Sequence, residues 1–180
     1  DFTKPVDILA VDVPAGYTTL FVFPYSVGFQ FSGFKNLAAL NEAITKRLKN
    51  LGVTTLLFMR HLELIEYEIK IPGKEASGEY LLDAEPVNDH CTRVSAIESE
   101  DDKTDESLSF IKFSMPIDSM VSTRTIDVAF TVATDKEGKT TFQKAKNPYI
   151  SVYFPTETES KLDFIVQGPF RTTPNRSSVP

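Results

Sequence analysis

The hydrophobic period of this chain changes once, near residue 64. Before that point Leu37, Leu40, Ile44, Leu48 and Leu51 recur at spacings of three and four, which places them on one face of a helix. Lys46, Arg47 and Lys49 fall in its last turns, where cations complement the helix dipole, and Gly52 stands where a C-terminal cap belongs. The spacing predicts an amphipathic helix over about 36–51. The next stretch, VTTLLFMRHL, is ambiguous, since its start favours a strand and its Leu and Met content a helix. Its length tips the reading to a short second helix over about 53–61. Ahead of both lies TTLFVFP (18–24), a β-prone run stopped by Pro24, and then a loop rich in Gly and Phe.

From residue 64 the period is two. LIEYEIKI alternates Ile65, Tyr67, Ile69 and Ile71 with charged or polar partners, the pattern of a half-buried strand. Further strands are predicted near 79–83, 91–98, 107–114, 125–133, 140–145, 149–154 and 161–167. DKEG (135–138) is a turn signal that makes 125–145 a hairpin. Consecutive strands with short connectors favour antiparallel pairing. The fold class that follows is α+β, mostly antiparallel sheet with one clear helix and a short second one. The organisation divides at about residue 70, with 71–180 forming a β-rich region.

Charge adds one feature. The net charge is −6 over 180 residues, and ESEDDKTDE (98–106) holds most of it, leaving the remainder near neutral. That run predicts a solvated acidic loop at 98–106, a mobile connector without chemistry. No basic stripe supports nucleic-acid binding. No apolar run approaches the ~20 residues of a membrane helix, and the N-terminal residues lack a signal-peptide pattern. The single cysteine, Cys91, rules out an internal disulfide and a cysteine-cluster metal site, and fits a cytoplasmic protein.

Few residues suggest chemistry. The eight glycines contain no G-x-G, which excludes the dinucleotide fingerprint. GFQFSGFK imitates a phosphate-binding loop, but Phe34 separates Gly33 from Lys35 and Asn36 occupies the Ser/Thr place. His61, His90 and Cys91 are the only thiol and imidazole groups. His90 and Cys91, as neighbours on a strand, would face opposite ways, so no metal site is expected. Glu66 and Glu68 read as the solvent side of their strand. The segment QGPFRTTPNRSSVP is different: Arg171 and Arg176 flank a run of hydroxyls and Asn, either an anion cradle or a solvated loop.

Three stretches together resemble the GHKL ATPases, in the bacterial branch related to sacsin and the large heat-shock chaperones. TTLFVFP resembles the G-T-x-F-x-F-P strand near the end of the nucleotide-binding fold. LAALNEAITKRLKNLGVTTLLFMRHLELIEYEI resembles the helix and strand that follow, and YISVYFPTETESKLDFIVQGPFRTTPNRSSVP the end of the next domain. The resemblance implies that residues 1–70 are the C-terminal part of a nucleotide-binding domain and 71–180 a transducer-like region. It places Thr19 on the adenine side and Arg176 as a γ-phosphate sensor, with Arg171 the weaker candidate for that role. Thr18 stands where the family has Gly. The family's E-x-x-x-N helix, D-x-G-x-G loop and Gly-rich lid are absent; EPVND (85–89) mimics the first on a predicted turn.

The chain is therefore expected to be a piece of a larger chaperone-like ATPase, with no activity alone. ATP and magnesium would belong to the parent, and none is expected to bind this piece by itself. Its partner would be a preceding ATP-binding segment of the same chain, with a homodimer in the parent. The alternatives are a non-catalytic β-rich binding or scaffold module and an enzyme using clustered acids.

Overall fold

A computed structural model describes residues 15–19, 33–101, 103–117, 124–146, 148–174 and 177–180. The chain forms two compact units, Asp1–Ala43 and Ile44–Pro180. Helix α1 (Leu37–Lys49) runs across the division. Its start is capped by Asn36, whose Oδ1 accepts the Ala39 amide at 2.9 Å. At its end the Asn50 side chain donates to the Lys46 carbonyl at 2.6 Å, and Gly52 takes the left-handed conformation (φ 86°) that ends many helices.

The second helix expected over 53–61 is not there. Val53–Phe58 forms successive tight turns, with the amides of Thr55, Leu57 and Met59 donating three residues back to Gly52, Thr54 and Leu56. Three β-branched residues in a row resist α-helical side-chain packing, and the Thr55 hydroxyl donates to the Leu51 carbonyl. The turns still achieve what the apolar composition requires, because Val53, Leu56, Leu57 and Phe58 are all buried. Among the described residues the chain is mainly β with a single helix.

Nine strands form one open sheet: β1 (Leu64–Ile71), β2 (Lys74–Asn88), β3 (Cys91–Glu100), β4 (Lys103–Ile117), β5 (Arg124–Thr134), β6 (Thr140–Gln143), β7 (Tyr149–Val152), β8 (Phe154–Glu159) and β9 (Ile165–Gln167). The spatial order is β1-β2-β3-β4-β5-β9-β7-β8, and β6 pairs with the other half of β5. Every pairing is antiparallel except β7 with β9. The β5–β6 hairpin turns at Asp135–Lys139 as the sequence predicts. The Asp135 carboxylate accepts the Glu137 and Lys139 amides at 3.0 and 2.9 Å, and Gly138 supplies a positive φ.

The acidic stretch 98–106 is not a free connector. It is the closing end of the β3–β4 hairpin, with Glu98 opposite Glu106 and Glu100 opposite Lys103. Two contacts hold it. Lys49 pairs with Glu100, and Asp101 exchanges two hydrogen bonds with Ser77, each 3.1 Å.

One face of the sheet, the inner face, carries Tyr80, Leu82, Val94, Ala96, Phe110, Ala129 and Ile165, all buried and clustered with Val53, Leu56, Leu57, Phe58 and Ala145. Gly78 lets the Tyr67 ring lie flat across β2, since a Cβ there would stand 2.6 Å from its Cε1. Tyr80 is 1% exposed, and its hydroxyl donates to the Leu48 carbonyl at 2.7 Å, tying the helix end to the sheet. Burial first, then the negative charge of Glu98, push its pKa up to about 12. A folded pKa above the unfolded value of ~10 gives stability that is complete below pH 10 and lost as pH rises toward 12. Thermal melts between pH 9 and 12 should show this loss in the wild type, and Tyr80→Phe should flatten it.

Candidate functional site

The residues singled out by the sequence do not converge. Thr18 and Thr19 are exposed and belong to the first unit, whereas Arg171 is exposed on the second. Arg176 lies outside the described residues, as do most of TTLFVFP and GFQFSGFK. EPVND is the end of β2 with a bulge between Pro86 and Asn88, followed by a turn in which the His90 amide donates to Asn88 Oδ1; it is not a helix. His61 and His90 are exposed and Cys91 is half-buried. No three metal-ligating side chains come together among the described residues. Thr19 and Arg171 supply one hydroxyl and one guanidinium on separate units, which do not make a nucleotide site.

The segment around Arg171 is nevertheless well anchored. The Glu157 amide donates to the Ser177 carbonyl at 2.6 Å, and the Val179 amide to Thr158 Oγ1 at 2.9 Å. Thr173 and Ser178 close a small loop, exchanging backbone and hydroxyl bonds of 3.0–3.3 Å. The donor-rich tail is thereby fastened along β8.

A polar cluster that sequence reasoning missed sits at one end of the inner face. Arg60 donates to Thr125 Oγ1 at 2.9 Å, Thr125 reaches Asp127 Oδ2 at 3.4 Å, and Lys112 Nζ reaches the Leu57 carbonyl at 3.4 Å. Burial lowers the Lys112 pKa, and the Asp127 charge opposes that shift. Asp127 pairs in register with Gln167, whose Oε1 is buried without a partner among the described residues. A cavity of about 260 Å³ adjoins it, lined by Thr125, Tyr153, Gln167 and Phe170 among others. The signal was available: Lys112 and Asp127 occupy the inward phase of their strands, shared with Phe110 and Ala129. A larger cleft of about 900 Å³ opens between Val53 and Lys146, with Phe110 and Thr131 on its floor. It contains no ionisable group with a shifted pKa.

The opposite, outer face is the more unusual surface. Along β4 and β5 it carries Ile111, Phe113, Met115 and Ile117, facing Ile126, Val128, Phe130 and Val132 in register. Phe142 on β6 pairs with Val132, and Val166 on β9 with Val128. Phe130 is the hub of a ring cluster, with centroids of Phe164, Phe142 and Phe113 at 5.0, 5.5 and 6.1 Å. This apolar set is open to solvent: Met115 is 70% exposed, Phe142 66% and Phe113 43%. The two phases of these strands are thus inverted in polarity. Lys112 and Asp127 point inward while aromatic and aliphatic side chains point out.

No family model, curated protein or solved structure matches the chain. Among the described residues no helix is long and apolar enough to cross a membrane.

Proposed function

We propose that the chain is a non-catalytic β-sheet binding module that docks another polypeptide on the outer face of β4, β5, β6 and β9. The observation that carries this reading is the uniform apolar phase of β4 and β5 left uncovered. Soluble monomers rarely expose contiguous apolar patches of this kind, and where they do the patch marks a contact surface. Aromatic and Met side chains are also the residue types enriched at interface cores.

The reading separates contact residues from folding residues. Met115→Ser with Phe142→Ser should change folding stability by no more than about 1 kcal/mol per site, as expected for exposed positions, while reducing binding of an apolar dye such as ANS. A loss of several kcal/mol in urea unfolding would make these side chains part of the core and defeat the reading.

A second reading is favoured by the fastened tail. In it the chain is the transducer-like part of a larger GHKL-type ATPase, with Arg171 held on a rigid edge for a neighbouring domain. That reading predicts that the 180-residue chain alone gives no calorimetric response to ATP and magnesium at micromolar concentration. A dissociation constant below about 10 μM, roughly −7 kcal/mol, contradicts it.

A further inference from the structure

The outer face has a second half. Across β1 and β2 the same face presents Glu66, Glu79, Asp83 and Glu85. Glu66 and Glu79 stand directly opposite each other in the β1–β2 register, an arrangement of like charges that destabilises a sheet. Some acids here are already compensated. Glu68 pairs with Lys70 at 2.8 Å and raises its pKa, and Arg93 stands opposite Glu85 in register. Glu66, Glu79 and Asp83 have no ion pair among the described residues. Between the acidic and apolar halves runs a strip of small side chains: Ser95 opposite Ser109, with Ser107 and Ser99 beside them. Such a strip lets a partner lie flush across both halves.

Resting on the docking reading above, we propose that the occupant of this face is a polypeptide segment carrying basic residues beside apolar anchors. The apolar anchors seat on Phe113, Met115, Phe130 and Phe142, and the cations on Glu66, Glu79 and Asp83. Neighbouring strands are ~4.8 Å apart, so β2 lies about 10 Å from β4 and about 14 Å from β5. The partner's cations therefore stand roughly 10–15 Å from its anchors. The acidic half also selects against other occupants. An anionic lipid surface or a nucleic acid would meet the same three carboxylates and be repelled. A cation placed between Glu66 and Glu79 relieves their repulsion, so the bound state gains what the free state lacks.

The test uses the full 180-residue chain and two fluorescein-labelled 14-residue amphipathic peptides, one of Leu and Lys and one of Leu and Glu, titrated by fluorescence anisotropy. The Leu/Lys peptide should bind at least tenfold tighter than the Leu/Glu peptide, and its affinity should fall as salt rises from 50 to 300 mM. The triple variant Glu66→Gln, Glu79→Gln, Asp83→Asn should lose about tenfold in affinity for Leu/Lys and most of the salt dependence, with ANS binding unchanged. Met115→Ser with Phe142→Ser should lose affinity for both peptides. If the triple variant binds Leu/Lys as the wild type does while the serine variant does not, the charge assignment is overturned and the docking reading survives. If the serine variant binds as the wild type does, the docking reading falls. Self-association through this face, abolished by the serine substitutions, would make a second copy the occupant and overturn the proposal. Equal binding of the two peptides would overturn it as well.

Discussion

Phe110→Ala should destabilise the sheet unit by about 3–5 kcal/mol, the usual cost of emptying a large buried aromatic site. Phe110 has no solvent exposure and lies in the cluster that joins Val53, Leu56, Leu57 and Phe58 to the sheet. Its neighbours are in register on both sides, Val94 on β3 and Thr131 on β5, so the walls are held by strand pairing and cannot collapse into the space. The loss should appear in urea unfolding as a lower midpoint with little change in slope. Phe130→Ala provides the contrast. It removes ring contacts on the open face and should cost clearly less than Phe110→Ala.

Asp127→Ala should be the second large effect, about 3 kcal/mol near neutral pH. Breaking a buried pair by removing one partner costs about 3–5 kcal/mol because the other charge is left uncompensated, and the half-exposed Lys112 places this case at the low end. Asp127 is the charge that holds the Lys112 pKa up against burial, so its removal lowers that pKa further. A folded pKa below the unfolded ~10.4 means that the penalty is full at pH below the folded value. It is relieved as pH rises toward the unfolded one. The variant should therefore regain stability relative to wild type between neutral pH and about pH 10. Combining Lys112→Met with Asp127→Ala should recover much of the loss at neutral pH, since neither charge then remains buried alone. A double variant as unstable as Asp127→Ala would show that the cluster is held by Thr125 and Arg60 instead.

Local patterns were read correctly where one interaction dominates. The α1 stripe ends within two residues of its predicted limits, because Leu spacing, basic last turn and Gly52 agree. The β5–β6 hairpin follows from DKEG alone. Errors came where pairing overrode composition. Like charges at 98–106 predicted a loop, but strand pairing, Lys49 and Ser77 hold them in the hairpin. The expected strand 149–154 is two strands, split at Tyr153 with its positive φ, and the parallel contact of β7 with β9 has no local signature. The outer face was illegible for another reason. IKFSMPI and TIDVAFTV are apolar in both phases or nearly so, which reads as strands covered on both sides. Only the topology shows that one side of them is open. Arg171 was found from the sequence, but Lys112, Asp127 and Gln167 each passed as the polar partner in an alternating strand.

The docking claim is tested most directly by placing a photo-crosslinking amino acid at Met115, at Phe142 and, as a control, at the turn residue Glu137, in the protein's own host. The partner captured is then purified and titrated against wild type and the Met115→Ser, Phe142→Ser variant. The outer-face reading predicts one polypeptide adduct shared by positions 115 and 142 and absent at 137, with at least tenfold weaker binding to the variant. Equal crosslinking at all three positions, or a partner that binds the variant as tightly as the wild type, would contradict it.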